Sequence, residues 1–276
     1  MSEHPTIAFI GGGNMARSLI GGLIADGYEA RRIWVAEPDP DQRGRLTAQF
    51  PVNATDDNRA AAEQADAVVL AVKPQVIKSV CEPLGEIVRS RGSLVISIAA
   101  GVREPDLSRW LGGGVAVVRT MPNTPALVQT GATGLFANRH TTAAQRALAE
   151  SLLRAVGLTQ WLDDESQMDA VTAVSGSGPA YFFLLMEMLE ESGSKLGLPR
   201  ETARLLVLET ALGAAKMALE SNEDPRSLRH RVTSPGGTTE RATQTLEEGG
   251  IRELFDGAVR AAADRAGELG KMLGEQ

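Results

Sequence analysis

Residues 7–16 read Ile-Ala-Phe-Ile-Gly-Gly-Gly-Asn-Met-Ala, an apolar strand pattern that runs into a glycine turn and then into a helical pattern over residues 14–26. No other stretch constrains the fold as much. Gly11-x-Gly13-x-x-Ala16 between a strand and a helix is the start of a nucleotide-binding βαβ unit. Gly11 permits the tight turn, Gly13 lets a pyrophosphate approach the backbone, and Ala16 lets the helix pack close to the strand. With Gly12, Asn14 and Met15 between them, these residues form the expected phosphate cradle at a helix N-terminus.

The next segments repeat the rhythm. Residues 33–36 read as a second strand with a helix over 39–49 behind it. The runs 67–72, 94–98 and 115–119 are continuously apolar, as expected for strands buried on both faces. This alternation predicts a parallel sheet with helices on both sides. From Glu165 onward no strand pattern remains, and residues 180–196, 200–218 and 251–273 carry apolar residues at helical spacing. Gly197 and Pro199 separate the first two helices. The fold class expected is α/β, with an N-terminal Rossmann-type dinucleotide-binding domain over residues 1–162 and an all-α C-terminal domain over 163–276.

Composition narrows the function. The 276 residues carry a net charge of −7 and no cationic run, which argues against nucleic-acid or anionic-membrane partners. The single cysteine, Cys81, excludes an intrachain disulfide and a multi-thiolate metal site, and fits a reducing compartment. The three histidines, His4, His140 and His230, lack metal-ligand spacing, so no metal is expected. The polar N-terminus has no targeting pattern and no apolar run reaches a membrane span, so the expected location is the cytoplasm.

Glu37 closes the second strand pattern about twenty residues beyond the glycines, where an acidic residue accepts hydrogen bonds from an adenosine ribose and repels a 2′-phosphate. By charge alone this favours NADH. The other reading is a surface acidic loop, because Pro38 and Pro40 can turn Glu37, Asp39 and Asp41 away from the nucleotide. A second anion site is written into Ser234-Pro235-Gly236-Gly237-Thr238-Thr239, which enters a helical run. Small residues at a helix entrance leave backbone N–H groups for a carboxylate. The alternative is a helix capped by Thr238 after a Pro-Gly-Gly turn.

Four further stretches complete a pattern: Ala71-Val72-Lys73-Pro74, Met121-Pro122-Asn123-Thr124-Pro125, Ala173-Val174-Ser175-Gly176-Ser177-Gly178-Pro179-Ala180-Tyr181, and residues 232–239. In order and spacing, over almost the whole chain, the sequence resembles the pyrroline-5-carboxylate reductases. The resemblance implies reduction of 1-pyrroline-5-carboxylate to L-proline by NADPH or NADH. It implies that Gly236, Gly237, Thr238 and Thr239 hold the substrate carboxylate mainly through backbone N–H groups. The Thr239 hydroxyl would lie by the imine nitrogen as the one catalytic side chain. Ser175 and Ser177 would line the far side of that pocket, with helix-start capping as the open alternative. Ala71, Val72, Lys73 and Pro74 would run beside the nicotinamide half, and Asn123 would lie at a strand end near the cofactor. Asn58 would meet the adenosine end. Lys73 reads either as solvated or as paired with cofactor phosphate.

Glu37 departs from the family, many of whose members carry a small hydroxylated residue there that suits NADPH. Family members also dimerise by interlacing their helical domains, often within larger rings, so that Thr239 would face the partner's cofactor. Two other readings are weaker. A β-hydroxyacid dehydrogenase relative needs a helical-domain lysine, for which Lys195 and Lys216 are the candidates. A nonenzymatic NAD-sensing regulator needs a partner surface that the acidic balance does not supply.

Overall fold

The continuous apolar run that starts at Ala67 forms the middle of an eight-stranded sheet. A computed structural model, which describes residues 4–275, gives strands β1 (Ile7–Ile10), β2 (Ile33–Ala36), β3 (Asn53–Thr55), β4 (Ala67–Leu70), β5 (Leu94–Ser97), β6 (Val117–Met121), β7 (Gly131–Ala137) and β8 (Gly157–Trp161). Their spatial order is β3-β2-β1-β4-β5-β6-β7-β8. β1 to β6 are parallel, so their carboxyl ends share one edge, and the order reverses between β1 and β4. That reversal is where open α/β sheets leave a crevice for ligands. Every residue of β1, β4 and β5 is buried, which accounts for runs without polar alternation.

The sheet corrects the all-parallel expectation. β7 pairs antiparallel with β6, and β8 runs parallel to β7. β7 has no strong strand signal of its own in Gly131-Ala132-Thr133-Gly134. Pairing on both sides imposes its conformation, and a Cβ on Gly134 would lie 2.9 Å from a Val171 methyl. Asn138 fixes the reversal by accepting from Val117 N–H and donating to Val115 O.

Six helices flank the strands: α1 (Asn14–Ala25), α2 (Pro40–Gln49), α3 (Asn58–Ala62), α4 (Ile77–Arg91), α5 (Glu104–Trp110) and α6 (Ala143–Arg154). Local signals set their ends. Asp39 caps α2 by accepting from Asp41 and Gln42 N–H, with Pro40 at the first helical position. Gly92 ends α4 at φ +66°, where a Cβ would be strained. Thr142 and Gln145 close a capping box on α6. Leu19, Ile20 and Leu23 of α1 and Ile77, Cys81, Leu84 and Val88 of α4 are buried in the apolar clusters on opposite sides of the sheet.

The remaining helices are α7 (Gln167–Val171), α8 (Gly178–Lys195), α9 (Arg200–Glu220), α10 (Pro225–Arg231), α11 (Thr238–Glu248) and α12 (Ile251–Gly274). Contacts divide the chain into two units. One runs through Ser177 and takes up the chain again from Ala262, and the other is Gly178–Ala261. The sequence pattern changes at residues 162 and 163, but α7 stays with the sheet because Met168 and Ala173 are fully buried there. The last turns of α12 also return to the first unit. Arg109 donates to Gly274 O at 2.8 Å, placing a cation on the helix carboxyl end, and Leu273 is buried beside Gly101.

In the second unit α8 and α9 form a helical hairpin. Gly197 takes φ +97°, and Leu198 N–H donates to Gly193 O, closing the carboxyl end of α8. A Cβ on Gly193 would approach the Ala203 methyl at 3.3 Å, so the two helices pack closely. Phe182, Phe183, Leu189, Leu205, Leu206 and Leu212 are exposed in the single chain. An apolar face of that extent on two helices marks an association surface.

Candidate active site: a glycine cradle and a helix entrance

The glycine turn after β1 is shaped by its neighbours. Gly11 takes φ +100°, and a Cβ there would lie 2.7 Å from the Ala71 carbonyl oxygen. Its N–H donates to Ala36 O, and Ala71 N–H donates to Ile10 O, so β2, β1 and β4 converge on this residue. Only glycine fits both the dihedral and the close approach. Gly13 differs, because no atom lies within 4 Å of the position a Cβ would take. Open space in front of Gly13, at the amino end of α1, is what a pyrophosphate requires. Gly13 is the N-cap residue with no side-chain partner, leaving the first N–H groups of α1, beginning at Asn14 and Met15, facing that space. Ala16 is buried against the sheet, as expected for close helix packing.

Glu37 lies in the cradle. Its carboxylate accepts from Gly12 N–H at 2.8 Å and from Asp39 N–H at 3.0 Å, and the residue is only 7% exposed. The prolines therefore do not turn Glu37 outward, although Asp39 is turned away to cap α2. The surface-loop reading holds for Asp39 and Asp41 and fails for Glu37.

Asn58 opens α3, directly after β3. Ala71, Val72, Lys73 and Pro74 follow β4, where Lys73 is exposed and its carbonyl accepts from Val76 N–H in a single 3-10 turn. These residues and the glycine turn all lie along the carboxyl edge of the parallel strands. Asn123 sits at the same edge after β6, but its side chain has a different use. It donates to Ser175 O at 3.0 Å and accepts from Ala132 N–H at 2.9 Å, tying β6 to β7 and to the turn before α8. Its side-chain amide is thus engaged within the protein, while the residue itself lies at the strand end where it was expected.

Ser175 and Ser177 lie in or at the end of a π-type turn, Thr172–Gly176, in which Ser177 N–H donates to Thr172 O. Single π turns recur at functional sites because they displace side chains from the helical register. Ser175 Oγ donates to Val171 O at 2.9 Å, so it caps no helix start.

The helix entrance in the second unit is narrower than its sequence suggests. Gly237, not Thr238, is the N-cap of α11, and no side chain caps it. Gly237 N–H donates to Ser234 O at 3.0 Å. Gly236, at φ +70°, donates its N–H to a Glu240 carboxylate oxygen at 2.7 Å. Gly236 and Gly237 were both expected to offer their amides to a ligand, and both amides have partners in the chain. The first two residues of the helix, Thr238 and Thr239, precede the intrahelical bonds, which begin with Arg241 N–H on Gly237 O. Glu240 is the contact that sequence reasoning missed. A glutamate three residues after an N-cap is the spacing at which it reaches back to the preceding backbone, and that signal was present.

Among the described residues no group of acidic, histidine or cysteine side chains could hold a metal ion. Lys195 and Lys216 are exposed on α8 and α9 and pair with Glu191 and Glu220 one helical turn away. Surface pairs of this kind give no catalytic lysine, which removes the β-hydroxyacid dehydrogenase reading.

Comparison with known proteins agrees with this arrangement. The family model described as pyrroline-5-carboxylate reductase dimerisation matches residues 165–269, and one described as NADP oxidoreductase, coenzyme F420-dependent, matches residues 6–101. A pyrroline-5-carboxylate reductase from Pseudomonas aeruginosa is 52% identical, over 98% of this chain and 99% of that protein. The one from Escherichia coli is 39% identical over 96% of this chain and 98% of its own length. A pyrroline-5-carboxylate reductase structure from Coxiella burnetii superposes with a TM-score of 0.93 at 52% identity, covering 96% of this chain and 98% of that one. The Plasmodium falciparum pyrroline carboxylate reductase with NADP bound gives a TM-score of 0.85 at 29% identity, covering 97% and 99%. With identity of this order along its whole length, and with both the glycine cradle and the Ser-Pro-Gly-Gly-Thr-Thr turn inside the matched span, the chain belongs to the pyrroline-5-carboxylate reductase family.

Proposed function

We infer that this chain catalyses the NAD(P)H-dependent reduction of 1-pyrroline-5-carboxylate to L-proline, the last step of proline biosynthesis. The observation that carries the reading is full-length family membership with both chemical elements intact: an open phosphate cradle at Gly13 and free helix-start amides at Thr238 and Thr239. A bound reduced nicotinamide would supply hydride for the imine carbon, and the imine nitrogen would bring a proton taken from solvent. The protein then needs no strong acid and works by positioning.

Each residue set has a role in that reading. The N–H groups following Gly13 hold the pyrophosphate. Glu37 and Asn58 meet the adenosine end, and the backbone of residues 71–74 runs beside the nicotinamide half. Thr238 and Thr239 N–H groups donate to the substrate carboxylate, supported by the positive end of α11. Thr239 Oγ orients the imine nitrogen, and Ser175 and Ser177 line the pocket. Asn123 acts indirectly by holding the turn that carries Ser175. The protein self-associates through its helical part, where α8 and α9 expose apolar side chains, as a dimer or a ring built from dimers. The domains this reading assigns are a nucleotide-binding domain over 1–162 and a substrate-binding and dimerisation domain over 163–276.

No described helix is long and apolar enough to cross a membrane. A cytoplasmic site of action is the reading supported by the lone, buried Cys81. The experiment that tests the function is loss of nicotinamide absorbance when the purified protein meets 1-pyrroline-5-carboxylate with NADH or with NADPH. Turnover with neither overturns the assignment.

A further inference from the structure

Both oxygens of the Glu37 carboxylate are engaged by the loops that bind the nucleotide, through Gly12 N–H at 2.8 Å and Asp39 N–H at 3.0 Å. We propose that Glu37 makes this enzyme select NADH over NADPH. The inference rests on the nucleotide-binding reading above and deepens it.

A carboxylate is acceptor-only, and after one N–H bond each oxygen keeps a lone pair for a further donor. The two hydroxyls of an unmodified adenosine ribose are such donors. A 2′-phosphate is not, because at neutral pH it carries between one and two negative charges and only acceptor oxygens. Glu37 is 7% exposed, so water screens that repulsion poorly. The residue is also anchored: its own N–H donates to Thr55 O at the end of β3, and a Cβ placed on Gly12 would lie 3.3 Å from both the Glu37 carboxylate and a Leu46 methyl.

Arg43 directs Nη1 onto the main-chain carbonyls of Glu37 at 2.6 Å and Pro38 at 3.3 Å. The Asp39 side chain caps α2 within two residues and adds negative charge to the same loop, its carboxylate held ionised by the Gln42 and Asp41 N–H bonds and, to a smaller degree, by Arg45. A 2′-phosphate placed there would therefore meet the Glu37 carboxylate, while Arg43 Nη1 is held by main-chain carbonyls.

Binding of NADH and NADPH to the full-length protein, followed by nucleotide fluorescence without substrate, tests this directly. The wild type is expected to bind NADH at least about tenfold more tightly than NADPH, a difference of about 1.4 kcal/mol. Glu37→Gln keeps an acceptor for Gly12 N–H but removes the charge, and should shrink the ratio severalfold. Glu37→Ser also frees the Gly12 amide for phosphate and should bring NADPH level or ahead. Equal or tighter NADPH binding by the wild type, or a ratio unmoved by both substitutions, overturns the proposal. The same holds for absence of binding by either nucleotide. Selective NADH binding without reduction of 1-pyrroline-5-carboxylate would support Glu37's role while overturning the assigned reaction.

Discussion

The N–H of Gly236 donates to the Glu240 carboxylate at 2.7 Å, so the turn ahead of α11 already holds an anion belonging to its own chain. If the substrate carboxylate binds at the same helix entrance, it meets both a competitor for that amide and its negative charge. Removing the side chain is expected to lower the KM for 1-pyrroline-5-carboxylate. Glu240→Ala frees one exposed amide, and a single charged hydrogen bond at a surface site is worth about a two- to tenfold change. Steady-state kinetics should show that fall in KM with kcat little changed. Thermal unfolding should show a slight loss of stability, because an acidic residue in the first turn favours the helix. A raised KM would show that Glu240 helps to bind the substrate instead.

Thr239 occupies the second position of α11, one residue beyond the first free amide. If its hydroxyl orients the imine nitrogen, Thr239→Ala should lower kcat by about ten- to a hundredfold, the range expected for losing a positioning contact at the reacting centre. Cofactor affinity should stay within about twofold of the wild type, the shift allowed for a group that makes no ground-state contact with the nucleotide. Thr239→Ser, which restores the hydroxyl, should recover most of the rate. Equal loss of cofactor binding in Thr239→Ala would place the residue against the nucleotide rather than the substrate.

What the sequence made legible follows from where local chemistry decides the structure. Gly11, Gly13 and Ala16 each carry a steric requirement that the backbone meets, so the cradle could be read in advance. The buried strands β1, β4 and β5 are long enough runs of apolar residues to declare themselves. β7 could not be read, because Gly131 and Gly134 have little strand preference and their conformation comes from partners distant in sequence. The use of Asn123 as a clamp was hidden for the same reason, since Ser175 lies 52 residues away. At the helix entrance the residue types suggested four open amides, whereas side chain and turn geometry assign two of them to the protein itself.

Arg119 and Glu165 form an ion pair at 2.7 Å, with the arginine side chain only 6% and the glutamate 18% exposed. The same Glu165 oxygen accepts from Glu104 N–H at the start of α5. This pair joins β6 to the segment before α7. Glu165→Ala leaves a guanidinium buried without its counter-charge and should cost about 3 kcal/mol, read as a lowered midpoint in denaturant unfolding. A double substitution, Arg119→Met with Glu165→Leu, should cost much less, because replacing a buried pair by apolar groups of similar size is often near neutral. If the single and double variants are equally unstable, the pair does not hold the strand.

Cys81 is fully buried in α4, and burial together with the nearby Glu82 carboxylate pushes its thiol up to about 12. In the unfolded chain a thiol ionises near the ordinary value of about 8.5. The folded pKa is the higher of the two, so the folded state holds its proton where the unfolded state would lose it. The sign follows from linkage: Cys81 adds no pH dependence below the unfolded value, and stability falls as pH rises from about 8.5 toward 12. Cys81→Ala should flatten that decline in urea midpoints measured across this window, after the ordinary loss from a small buried cavity is subtracted at pH 7. A disulfide-exchange reagent at pH 8 should leave the native thiol unreacted over the time in which the urea-unfolded chain titrates fully, since only the thiolate attacks. Rapid labelling of the native protein would mean that α4 opens readily and that the burial of Cys81 is not maintained in solution.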